Sequence, residues 1–190
     1  MAPSGRAFLA AALALLVTAP ATATVLADWS LQDLVRRADL VVIGTVTAQE
    51  YVVDDKRKAV LTLSSVAVER TMMGKPVETF TLTQLGGRAG SVVTEVMGDA
   101  QLAVGDRVLL FTFAHDDDRR YLVGMALGAW QLAGPKEAPE LRQRIDSPLA
   151  SMDGSLRPAP GLRTATLDDV KAAIDAVASS GNAATSERLE

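Results

Sequence analysis

The chain has 190 residues, 48% of them hydrophobic, with 19 Lys and Arg against 23 Asp and Glu, one histidine and no cysteine. The formal net charge of −4 argues against nucleic acid or anionic lipid as a partner, because both need a basic face that collects phosphates. Without cysteine there are no disulfides and no thiolate chemistry, and every histidine-dependent triad would have to use His115.

The first element along the chain is a targeting segment. Arg6 precedes an uncharged apolar run from Ala7 to Val17, and the small-residue stretch TAPATATVLA comes after it. This order predicts a signal peptide over residues 1–23. The run is well short of the roughly 20 apolar residues a spanning helix needs. Ala21 and Ala23 satisfy the A-x-A rule for cleavage after Ala23, and Val25 with Ala27 offers a second site after Ala27. The 190 residues less the first 23 leave 167, enough for one hydrophobic core. No later segment is apolar enough to act as a transmembrane anchor, and a chain without cysteine carries no lipid on one. An exported protein, periplasmic or extracellular, is expected.

The mature chain opens with DWSLQDLVRRADL, in which Ser30 is an N-cap, Asp33 stands three residues later, and Leu31, Leu34 and Val35 share one side. A helix of about two turns cannot stand on its cap alone, so its apolar side must pack on later elements of the chain. In ADLVVIGTVTAQE (38–50) an apolar run reaches Gly44 as the first strand of a dinucleotide fold would. No second glycine comes after it, however, and Thr45, Val46 and Thr47 continue a strand period. Gly44 is therefore read as a bend or a close backbone approach.

Strands are expected at about 40–48, 58–69, 77–85, 91–96, 106–114 and 119–132. In the second, Leu61 and Leu63 share one parity and Val66 and Val68 the other, which predicts a β-bulge at Ser64 and Ser65. The third alternates Phe80 and Leu82 against Thr79, Thr81 and Thr83, as an antiparallel strand with one solvated face does. GGRAG at 86–90 lies between strands and reads as a hairpin turn rather than a phosphate cradle. Leu109, Phe111 and Phe113 share one face, and burying each such side chain is worth roughly 2 kcal/mol. The β-barrel domain with its N-terminal helix is thus assigned to residues 28–132. Residues 133–165, with Pro135, Pro139, Pro148, Pro158 and Pro160, form a Pro-rich connector without its own core. A docking helix at 166–178 is capped by Thr166 and Asp169, and the polar tail 179–190 is expected to be disordered.

SLQDLVRRADLVVIGTV, the GG after the third strand, VGDRVLLF and YLVGMALGAWQL with its late helix look like a group of uncharacterised exported bacterial proteins over roughly residues 29–177. More distantly, ADLVVIGTV and the strands after it resemble the netrin-like modules of metalloproteinase inhibitors, which implies a five-stranded, antiparallel, OB-like β-barrel. Those inhibitors act through an amino-terminal cysteine and hold their barrel with disulfides. This cysteine-free chain shares neither feature, so the resemblance implies a fold and not that mechanism.

Motifs for catalysis are few. There is no G-x-S-x-G elbow, S-x-x-K pair or H-E-x-x-H helix. His115 falls in FAHDDDRRY, a polar tip between strands. Asp116, Asp117 and Asp118 are consecutive, whereas calcium loops space their ligands at alternate positions, so neither a metal nor a cofactor is expected. Asp54, Asp55, Glu69 and Glu95 are the carboxylates from which an envelope-polymer hydrolase would draw its pair. The leading expectation is instead a non-enzymatic binding module for a protein or cell-envelope component, with Trp130, Tyr121 and Arg88 as candidate partner-binding residues. Mass spectrometry of protein recovered outside the cytoplasm should give an amino terminus at Thr24 or Asp28; intact Met1 protein recovered from a membrane would contradict the signal-peptide reading.

Overall fold

A computed structural model describes residues 25–115, 119–136, 138–151 and 153–186. In chain order the elements are β1 (Leu26–Ala27), α1 (Leu31–Arg37), β2 (Leu40–Asp54), β3 (Ala59–Met73), β4 (Thr79–Leu85), β5 (Gly87–Ala89), β6 (Val92–Thr94), β7 (Arg107–Ala114), β8 (Arg120–Leu122), a 3-10 turn (Met125–Gly128), β9 (Ala129–Ala133), β10 (Glu140–Ile145), β11 (Leu149–Ala150), β12 (Leu156–Arg157), β13 (Gly161–Thr166) and α2 (Leu167–Ser186). About half of the described residues are strand, roughly twice the usual share, so the fold is mainly β with two helices. Among the described residues no helix is long and apolar enough to cross a membrane. The expected cut after Ala23 lies outside the described residues.

The main sheet has eight strands in the order β13-β10-β9-β7-β2-β3-β4-β8, and β8 also pairs with β7. Its ladders are antiparallel apart from one parallel bridge, Leu82 to Arg120. The centre is the pairing of β2 with β7, Leu40 opposite Thr112 through Thr45 opposite Arg107. Both strands are apolar on both faces. Val41, Ile43, Leu109 and Phe111 join a core that also holds Leu34 and Val35 of α1, Trp130, Leu141 and Ile145, and Val170 of α2. Leu40, Val42, Val46, Val108 and Leu110 point the other way, into a second core with Val66, Leu82 and Leu122. A sheet buried on both faces reads in sequence as an unbroken apolar run, and VVI at 41–43 and VLLF at 108–111 are such runs.

Each helix is fixed at its start by a reciprocal cap. Ser30 Oγ accepts from the Asp33 N–H at 3.2 Å while the Asp33 carboxylate accepts from the Ser30 N–H at 3.1 Å. Thr166 and Asp169 repeat the arrangement for α2. α2 continues to Ser186, into the stretch from residue 179 expected to be a disordered tail. Ser179 and Ser180 do not compete with the helix, because each hydroxyl donates to a carbonyl four residues back, Asp175 and Ala176, at 2.8 Å.

Three other expectations change. The irregularity near Ser64 and Ser65 is real but lies on the opposite strand. β3 pairs with β4 without interruption from Leu61 to Ala67, while β2 steps from Val46 opposite Val66 to Ala48 opposite Ser65, leaving Thr47 as the extra residue. Two further shifts place extra residues at Glu69 and Met72 of β3. Parity within one strand records a slip without saying which partner carries it. Gly44 does serve a close approach, since a Cβ there would stand 2.6 Å from the Ala67 carbonyl oxygen.

The single strand expected at 119–132 is two strands separated by the 3-10 turn. Gly124 and Met125 take left-handed φ of 66° and 58°, and a Cβ on Gly128 would lie 2.4 Å from the Val123 carbonyl oxygen. The sheet also continues past Leu132. Within the stretch expected to be a connector, β10 pairs with both β9 and β13, and its Leu141, Gln143 and Ile145 are buried while Arg142 and Arg144 are exposed. The five prolines fall between strands, where a missing N–H interrupts no ladder. Gln143 ties this half to the rest: its Nε2 lies 2.8 to 3.0 Å from the carbonyl oxygens of Ala126, Leu127 and Ala129 in and beside the 3-10 turn.

Candidate functional site

β2, β3 and β4 run on beyond the second core, and this overhang carries a groove of about 780 Å³. Tyr51 of β2 pairs with Thr62 of β3, which pairs with Gln84 of β4. The chain then doubles back over them through Gly86 and Gly87, at φ of 121° and 122°. A Cβ on Gly87 would lie 2.7 Å from the Tyr51 ring and 2.8 Å from Thr62 Oγ1, so glycine is required where the hairpin β5-β6 crosses the sheet. Thr62 Oγ1 donates to the Gly86 carbonyl at 2.7 Å, and Thr94 Oγ1 accepts from the Val60 N–H at 2.9 Å. GGRAG is thus not all turn: Gly87–Ala89 is a strand, and residues 90 and 91 form the tip.

After β6 the segment from Glu95 to Leu102 returns without regular structure and forms the far wall. Two glutamines and one backbone amide hold it, the Ala126 N–H donating to the Gly98 carbonyl at 3.2 Å. Gln84 Nε2 donates to the Ala100 carbonyl at 2.9 Å, and Gln49 Nε2 donates to the Leu102 carbonyl at 2.9 Å while lying 3.1 Å from the buried Ser64 Oγ. These contacts explain why the alternation of β4 ends after Leu82: Thr83 and Gln84 are both buried. A second groove, about 650 Å³, lies against the same segment, with Trp130, Arg142 and Leu162 on its other side.

Apolar side chains collect at the first groove. Tyr51 is 47% exposed and Met97 59%, with Leu85 and Val93 also exposed. Its charged lining residues are Arg88, Glu95 and Asp99. Burial pushes the Asp99 carboxyl up from its ordinary range, while its hydrogen-bond donors, the Ala100 N–H at 2.8 Å and the Gln84 side chain, hold it down in part. Among the described residues no ion pair involves Asp99.

The three candidate partner-binding residues are not brought together. Arg88 is exposed on the wall of the first groove. Tyr121 lies between Phe113 and His115, with ring centroids 6.0 and 5.9 Å away. Trp130 is only 2% exposed, which overturns its reading as an anchor offered to a partner: it packs in the core with the Arg163 guanidinium 5.4 Å from its ring centre. Its Nε1 has no hydrogen-bond partner among the described residues.

The carboxylates are also dispersed. Glu69 is held by Arg107 at 2.8 Å and Thr45 at 3.0 Å, and Asp55 is exposed; of the sequence candidates, Glu95 lines the first groove and the others line neither of these two. Asp54 accepts from the Arg57 N–H at 3.1 Å and from its guanidinium at 2.7 Å, with Arg119 at 3.4 Å. Arg119 comes directly after Asp116, Asp117 and Asp118, which lie outside the described residues. Among the described residues no three His, Asp or Glu side chains are gathered as a metal would need. The sequence pattern does not single out Gln49 or Asp99, and for Gln84 it holds one signal, an amide at the end of an alternating strand. The sequence matches no protein-family model and no curated protein.

The Arg57 backbone N–H, the Arg57 side chain and Arg119 lower the Asp54 carboxyl from 3.8 to about 2. A carboxylate whose pKa is lower in the folded state contributes stability that is complete above its unfolded value and lost as pH falls through the folded one. This contribution should therefore fade between about pH 4 and 2. Carboxyl NMR titration of Asp54 should give a midpoint near 2; a midpoint near 3.8 would show that the arginine contacts do not form in solution.

Proposed function

We propose that the chain is an exported, non-enzymatic binding module built on an OB-like barrel, taking a protein or cell-envelope component in the first groove. The barrel reading is supported by the pairings of five strands: β2 with β3, β3 with β4, β4 with β8, β8 with β7, and β7 with β2. These pairings trace a circuit, and in chain order it runs first, second, third, fifth, fourth, with the third and fifth parallel. OB-folds bind ligands across the sheet face and adjoining loops, and the groove lies across β2, β3 and β4. Export is supported by the composition of residues 1–23. Of the two cut sites, the one after Ala23 keeps β1, whose Leu26 is 5% exposed in the core.

The observation that carries the binding reading is the gathering of Tyr51, Leu85, Val93 and Met97, all exposed, on one groove. Contiguous apolar surface rimmed by polar groups marks interaction sites, and the volume lies within the roughly 300–1,000 Å³ of ligand sites. A second reading, hydrolysis of an envelope polymer, is favoured by one observation: Glu95 and Asp99 line the same groove and burial keeps Asp99 inclined to hold its proton, as a general acid must.

Immobilised protein should retain a component of the native envelope fraction at least about 10-fold better than Met97→Glu, because a charge there desolvates poorly against an apolar partner. Met97 is exposed, so the change should alter stability by no more than about 0.5 kcal/mol. Equal retention by both proteins would refute the groove reading, and polymer hydrolysis lost on Glu95→Gln would replace it with the enzymatic one.

A further inference from the structure

The groove joins apolar exposure to an uncompensated charge. Asp99 lines both grooves at the segment between them, and the donors that meet its carboxylate are amides rather than cations. Glu95 stands on the same wall. Arg88, the one cation lining the first groove, is exposed on the hairpin, where solvent screens its charge, and Arg142 and Arg144, which line the second groove, are exposed and paired with Glu140 and Asp146. A part-buried carboxylate facing neutral donors is costly to keep charged unless a cation pairs with it, and among the described residues no ion pair involves Asp99, so the position is open to a cation from outside. The backbone adds a second constraint: β6 pairs with β5 on one side, and no strand pairs with its other side among the described residues. Its Val92 and Val93 are exposed, so the edge presents backbone groups to an extended chain.

We infer that the groove takes an extended peptide segment of another protein, with apolar side chains against Tyr51, Leu85, Val93 and Met97 and a lysine or arginine between them directed at Asp99 and Glu95. The inference rests on the binding-module reading and adds the chemistry of the occupant. The acidic wall selects against acidic segments, and the apolar floor selects against wholly polar ones. The raised tendency of Asp99 to hold a proton comes from its burial, and an incoming cation would reverse it.

The test is selection of a random heptapeptide phage library on the full chain, then direct binding of the synthetic winners to wild type, Asp99→Asn, Glu95→Gln, Met97→Glu and Tyr51→Ser. Asp99→Asn keeps an acceptor for the Ala100 N–H and removes a part-buried charge, and its circular dichroism and melting should match wild type or exceed it. The expected result is winners with a basic residue flanked by apolar ones, bound at least about 30-fold more weakly by Asp99→Asn, more weakly by Glu95→Gln to a smaller degree, and lost on Met97→Glu. Winners that depend on Met97 yet lack a basic residue, or bind Asp99→Asn as tightly as wild type, would overturn this inference and leave the groove reading standing. If no winner is weakened by Met97→Glu or Tyr51→Ser, the groove reading falls and this inference falls with it.

Discussion

The structure depends on the pairing of β2 with β7, a two-stranded wall whose side chains are buried on both sides. One face, with Val41, Ile43, Leu109 and Phe111, receives both helices and the late strands; the other, with Leu40, Val42, Val46, Val108 and Leu110, closes against β3, β4 and β8. A wall of this kind leaves no register to spare, because a one-residue slip would exchange the two cores. The three shifts in the β2-β3 ladder absorb the mismatch between this fixed pair and the strand that must curve around it. Gly44 sits where the β3 backbone at Ala67 leaves no room for a Cβ.

The groove is a consequence of the same arrangement. β2 and β3 are each 15 residues long, and the wall uses only the first part of β2. The remainder projects past the second core, where alternate residues have no interior to enter and Tyr51 and Val53 are left exposed. The segment from Glu95 to Leu102 covers part of this overhang. It has no ladder of its own and is held by the amides of Gln49 and Gln84, by the Ala126 N–H on the Gly98 carbonyl, and by Ala100 and Leu102 packed against the core. The site therefore joins a rigid floor to a wall hung on a few contacts, as regions that admit ligands commonly do.

Much of this is legible in the sequence where a local rule acts alone. The caps at Ser30 and Thr166 read correctly because a serine or threonine with an acid three residues on meets its partners within a single turn. The apolar runs of β2 and β7 read as strands, and Gly44 as a close approach. Reading fails where the deciding partner is distant. Parity points to a bulge on β3 although the extra residue, Thr47, lies on β2, since only the pairing reveals which strand is longer. β10 and β13 are hidden by prolines on either side of them and by alternating arginines that look like solvated loop. Trp130 cannot be assigned a side without knowing that α2 and β10 share its core. Gln84 and Asp99 carry the groove, yet each is an ordinary polar residue until the segment carrying Ala100 and Leu102 is seen to cross the sheet.

A doubly buried wall that carries a groove with a loosely held outer side should declare itself in native-state hydrogen exchange. The amides of Val42, Ile43, Leu109 and Leu110 should exchange only through global unfolding, and those of Met97 and Gln101 through local opening at rates at least about 100-fold faster. Exchange of Met97 and Gln101 as slow as that of the wall, or local opening within β2 and β7, would contradict this picture.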